Sequence, residues 1–234
     1  MRKLIVLFFL ILGSVLISAA QSTWIDSLQT KYDQHYGVDM LLYNGAKYVE
    51  EVRAINSHPF WQSQDELKGT VWSKGKSYPK QRLKYHLQKQ SFILFYKDYN
   101  GQPHQISLNS NLLDSVRIDQ TLWIKNSYPQ IEQQFIQSIF QGELKCYVSS
   151  KKFLNFKSEG QNIGHYYTEE IKHNYLIRKG KLYPFNRKKT FLKIFPKSER
   201  KTIRKFMAAN KLSKIKTLDN HELKTLIAYC ERID

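Results

Sequence analysis

Seven histidines, twenty carboxylates and two cysteines are the side chains of this 234-residue chain best suited to do chemistry, and they are scattered. No two histidines stand at metal-ligand spacing. His221-Glu222 opens like a zinc-protease helix, but Thr225 occupies the place of the second histidine, so no metal or cofactor is expected. No G-x-S-x-G elbow, P-loop or dinucleotide fingerprint occurs. Asp114, Asp119, Glu169 and Glu170 are carboxylates that a fold would have to bring together before they could act as a hydrolytic pair. Most surface carboxylates are simply solvated or ion-paired, and no catalytic residue is assigned.

Three other groups of residues invite a reading. His58-Pro59-Phe60-Trp61 reads either as an aromatic binding platform with a titrating histidine or as a bend whose rings enter the core, and the bend is favoured. Cys146 and Cys230 form an even pair, which in an exported chain suits a disulfide. Each also lies among apolar neighbours, as a buried thiol does, and a chain of this size needs no staple. The third group is charge. The formal net charge is +17, and between Arg187 and Lys216 twelve Lys or Arg meet a single acid, Glu199. Such a run is often only the wet face of a helix. Where it binds, Lys201, Arg204 and Lys205 are the candidate contacts, and anionic lipid, lipopolysaccharide or acidic polysaccharide the candidate partners. Nucleic acid stands last, because no recognition motif accompanies the charge.

The elements that must position these residues fall into four segments. Residues 1–20 read as a signal peptide: Arg2 and Lys3, an apolar run from Leu4, and a Ser18-Ala19-Ala20 exit that places the cut before Gln21. That reading puts the protein in the periplasm or at the cell surface, with no cysteine after the cut to carry a lipid. Residues 21–36 read as a lead-in arm. Residues 37–184 alternate with period two and are broken by X-Gly pairs: Asn44-Gly45, Lys74-Gly75, Asn100-Gly101, Gln141-Gly142 and Lys179-Gly180. They predict an antiparallel meander of about eight to ten strands, closing as a barrel or sandwich to protect its edges. A loop is expected over Asn155 to Gly164.

Residues 185–234 switch to helical spacing and predict a pair of amphipathic helices, giving a mainly β, α+β chain. The first is expected to start near Pro196 with Ser198 as cap and to bury Ile203, Phe206 and Met207. The second is expected to start at Asp219 with Glu222 completing a capping box, and to bury Leu223, Leu226, Ile227 and Cys230.

Tyr43-Asn44-Gly45, His58-Pro59-Phe60-Trp61, Lys68-Gly69-Thr70-Val71-Trp72, Gly75 and Tyr78 together resemble a family of exported, uncharacterised proteins of Gram-negative bacteria. In that family a Y-N-G turn precedes an H-P-F-aromatic string, and the C-terminus is a lysine-rich helical tail, like Phe191 to Pro196 and the region of Tyr229 here. The resemblance implies a compartment and an architecture, with no catalytic residue to carry over. The reading is therefore a non-enzymatic envelope protein that binds a polyanion, a membrane face or a protein. The alternative is a hydrolase whose carboxylates converge in a cleft of the β-domain. An integral outer-membrane barrel fits less well, given the helical tail and a final Asp234.

Overall fold

The computed structural model describes Lys31 and residues 39–98, 100–158 and 163–233. The segment expected to be a signal peptide lies outside the described residues, as does the expected lead-in arm apart from Lys31. Thirteen strands are present among the described residues, more than the eight to ten expected. They are β1 (Ala46–Lys47), β2 (Leu67–Ser73), β3 (Lys76–His86), β4 (Ser91–Lys97), β5 (Pro103–Ser107), β6 (Leu113–Ile118), β7 (Thr121–Lys125), β8 (Phe135–Gln141), β9 (Lys145–Lys151), β10 (Leu154–Lys157), β11 (Gly164–Tyr167), β12 (Ile171–Arg178) and β13 (Lys181–Phe185). The surplus comes from short pieces such as β1, and from β10 and β11, which make a hairpin where a loop was expected.

Eleven strands form one antiparallel sheet in the order β1-β5-β4-β3-β2-β6-β7-β8-β9-β12-β13. Of the two expected ways of closing, barrel or sandwich, the closed barrel is not formed, because β1 and β13 remain as two separate edges. Instead the sheet rolls until its own strands face one another. The Phe92 ring of β4 lies 5.0 Å from the Phe135 ring of β8. Five strand steps separate them, roughly 24 Å along a flat sheet. Tyr85 of β3 likewise meets Trp123 of β7 at 4.3 Å. Gln90 Nε2 donates to the Ser150 carbonyl at 3.1 Å and Gln134 Nε2 to Ser110 Oγ at 2.7 Å, tying the two halves across the roll.

Turn chemistry explains much of the register. Lys74 and Gly75 both have positive φ, as do Lys179 and Gly180. That is the twist-matching two-residue turn, and it closes β2–β3 and β12–β13 as the sequence predicts. Asn44-Gly45, the strongest such signal, closes no hairpin. A Cβ on Gly45 would collide with the Ser107 carbonyl, so this glycine serves the close approach of β1 to β5.

The roll encloses one core, from Leu42 to Phe135, including Trp61, Val71, Leu83, Tyr85, Phe92 and Trp123. A second core runs from Ile139 to Cys230, where β8, β9, β12 and β13 are covered by the tail. That tail holds three helices, not two: α1 (Lys188–Lys193), α2 (Lys197–Ala209) and α3 (Asn220–Glu231). At six residues, α1 is too short to show a period. The helix α2 starts beside Pro196 as expected, but its cap is Pro196 and Ser198 lies inside the helix, which corrects the expected cap. At α3 the capping box forms as spaced: Asp219 Oδ1 accepts from the Glu222 amide at 2.8 Å, and Glu222 Oε2 from the Asp219 amide at 2.9 Å. Ile203, Met207, Leu223, Leu226, Ile227 and Cys230 are buried, and Phe206 stacks on Tyr229 with centroids 3.7 Å apart.

Leu226 is fully enclosed in the second core. Leu226→Ala should cost about 2–5 kcal/mol, through lost burial and the cavity left behind. A urea titration should show a lower midpoint with an unchanged slope.

Candidate functional site

The cations of the tail are placed by its apolar residues. In α1, Phe191 and Leu192 enter the core, which leaves Lys189 and Lys193 exposed and Lys188 half-buried. In α2, Ile203 and Met207 do the same, and Arg200 and Arg204, one turn apart, face α1 across the elbow at Pro196. Lys188, Lys189, Lys193, Arg200 and Arg204 line an open groove of ≈ 430 Å³, with Leu192 as the apolar part of its wall. No acid lines it. Glu199, the single acid of the segment, is directed instead to Arg178, with Oε2 3.7 Å from Nη2.

Arg200 fixes this geometry. Its Nε donates to the Phe195 carbonyl at 2.7 Å and its Nη2 to the Lys193 carbonyl at 3.2 Å, holding the end of α1 beside the start of α2. Lys188 Nζ reaches Ser213 Oγ at 3.2 Å. What remains is a cluster of positive groups with an apolar wall. It can attract an anion or a multiply charged surface.

Of the three cations expected from the sequence, Arg204 lines the groove. Lys201 and Lys205 are exposed on α2 but do not line it. Lys188, Lys189, Lys193 and Arg200 were counted in the charge run without being singled out, because a helical wheel of α2 alone leaves out the neighbouring helix that completes the groove.

The other candidate residues are placed differently. Phe60 and Trp61 are each 4% exposed, so the aromatic platform is corrected to the bend that fills the core. Trp61 meets Trp123 edge-on at 5.5 Å, and Phe60 forms a bridge with His86. His58 is half-buried, and burial, then the positive charge of Lys152, holds its imidazole below the ordinary range. No disulfide joins Cys146 to Cys230: both thiols are buried in the second core, and burial pushes the Cys146 thiol up.

Asp114 accepts the Gly75 amide at 2.7 Å, a turn contact. Glu170 lies 3.8 Å from Lys172 in a polar cleft of ≈ 420 Å³ that also takes in Gln137, Asn220 and His221. There Asn220 Nδ2 is committed to Gln137 Oε1 at 2.8 Å. Among the described residues no group of His, Cys, Asp and Glu is arranged to hold a metal ion, and no helix is long and apolar enough to cross a membrane. Comparison with protein-family models, curated proteins and solved structures returns no match.

Two expected outcomes follow from these contacts. Arg200→Ala should cost about 1–3 kcal/mol by removing charge-assisted bonds to two carbonyls, read as a lower unfolding midpoint. His86, buried and accepting the Lys89 amide at its Nδ1, has a pKa pulled down to about 4 by burial. The unfolded chain takes up that proton near 6.5, so stability should fall as pH drops from 6.5 towards about 4. His86→Gln should flatten that slope.

Proposed function

We propose that this is an exported, non-enzymatic envelope protein that binds a polyanionic surface through the groove between α1 and α2. The observation that carries the reading is the convergence of Lys188, Lys189, Lys193, Arg200 and Arg204 around Leu192, without an acid among them. Like charges held close together repel, so they are most stable when an anion lies between them. The leader-like first twenty residues and the resemblance to exported proteins support an envelope location. Anionic lipid head groups, lipopolysaccharide and acidic polysaccharide share the chemistry this groove recognises, repeated negative charge.

Lys189→Gln, Lys193→Gln and Arg204→Gln combined should leave the melting temperature near that of the parent, because all three side chains are exposed. Each cation near an anionic surface contributes about 1 kcal/mol, so the triple variant should bind anionic vesicles or lipopolysaccharide roughly a hundredfold more weakly. Lys201→Gln with Lys205→Gln should cost less. Parent binding should also fall steeply as salt rises above ~50 mM. Equal binding by parent and triple variant, or no binding by the parent at low salt, would remove the proposal.

A further inference from the structure

A second, smaller chamber shares no residue with the cationic groove and has the opposite character. The segment after β1, from Tyr48 to Val52, meets the β3–β4 turn at Gln88 and Lys89 and the β10–β11 hairpin at Leu154 and Tyr167. They enclose ≈ 180 Å³ with His86 in the wall. The rings form an aromatic box. Tyr48 and Tyr167 stand edge-on to His86, with centroids 6.2 and 6.3 Å away and planes 65° and 83° apart. Phe60 backs His86 at 5.6 Å. Glu50 and Glu51 complete the lining with two carboxylates.

Two observations point to a ligand. Tyr48 is 6% exposed, yet its buried hydroxyl has no hydrogen-bond partner. A buried, unanswered phenol is costly and is ordinarily satisfied by protein or solvent. Moreover, the chamber already draws in a cation from the chain itself. Lys89 Nζ bonds Glu51 Oε1 at 3.0 Å and lies 5.8 Å from the centroid of the Tyr48 ring. Aromatic faces with nearby carboxylates attract ammonium groups.

We propose that this chamber binds the primary ammonium group of a short alkylammonium ligand. The N–H groups donate to the Tyr48 hydroxyl and to the carboxylates of Glu50 and Glu51, and the alkyl stem lies against Tyr167 and Leu154. An anion would meet the two carboxylates. An apolar guest would leave the Tyr48 hydroxyl unanswered, and a quaternary ammonium has no proton to give it. His86 does not oppose the cation, because burial keeps its ring neutral at pH 7.

The test is a titration of the full chain with propylammonium, 1-propanol and tetramethylammonium, followed by the NMR shifts of the Tyr48, Tyr167 and His86 rings. Propylammonium should give saturable shifts and propanol none. Tyr48→Phe keeps the ring and removes the hydroxyl, so it should weaken propylammonium roughly tenfold and leave tetramethylammonium unchanged. Glu50→Gln with Glu51→Gln should weaken both cations. The groove variant with three glutamines should bind propylammonium like the parent, which separates this site from the polyanion reading. Equal affinity for propanol or tetramethylammonium, or no saturation by ~50 mM in the parent, would overturn the proposal, since such an affinity is too weak to matter. Binding seen only in Lys89→Ala would overturn it too, showing that Lys89 is the resident occupant.

Discussion

A sheet with one apolar face must bury that face, and here the sheet is too wide to bury it on any single partner. The strands from β1 to β8 solve the problem by rolling, so that Phe92 meets Phe135 and Tyr85 meets Trp123. The end of β8 and the strands β9, β12 and β13 lie beyond the roll and are covered by the chain's own tail. Everything else about the tail follows from that covering. Once Phe191, Leu192, Ile203, Met207, Leu223, Leu226 and Ile227 are turned inward, the lysines and arginines between them can only face outward. The cationic groove is thus the reverse side of a hydrophobic contact. Its charges are held close together because the apolar residues that place them are held closer still.

The two chambers divide the molecule electrostatically. The groove gathers cations on short helical elements whose positions are fixed by the second core and by Arg200. The aromatic chamber gathers rings and carboxylates where a loop, a β-turn and a hairpin meet beside the first core. A chain with a formal net charge of +17 nevertheless keeps Glu50 and Glu51 together at one place. Net charge describes the attraction of the whole chain at long range. It does not describe what a particular cavity takes, which is decided by the groups within a few ångströms.

Much of the fold was legible in the sequence, for identifiable reasons. Lys74-Gly75 and Lys179-Gly180 announced their hairpins because a two-residue turn needs positive φ at both positions. The Asp219–Glu222 box and the Leu223, Leu226, Ile227, Cys230 stripe announced α3 because both signals are local. The choice between barrel and sandwich stayed open and Asn44-Gly45 was misread, because both depend on partners distant in sequence. Whether β1 finds β13 is not written in either strand, and Gly45 is required by Ser107, sixty-two positions away by number. The site was legible only as charge. Arg204 could be named from the wheel of its own helix, whereas Lys188, Lys189 and Lys193 became neighbours only through the elbow at Pro196. Tyr48, Glu50 and Tyr167 carried no signal, since three segments must meet to bring them together.

The two cores do not interleave along the chain. The first draws on residues up to Phe135 and the second on residues from Ile139 onward, with the boundary falling inside β8. A chain that emerges amino end first, whether from a ribosome or through a membrane pore, can therefore complete one hydrophobic interior before the other has all its parts. The later interior must wait for Cys230, almost the last residue, and until then β9 and β12 lack their cover. Those strands are the stretch most exposed to wrong pairing during that interval, and the tail that presents the cations is also the piece that ends it.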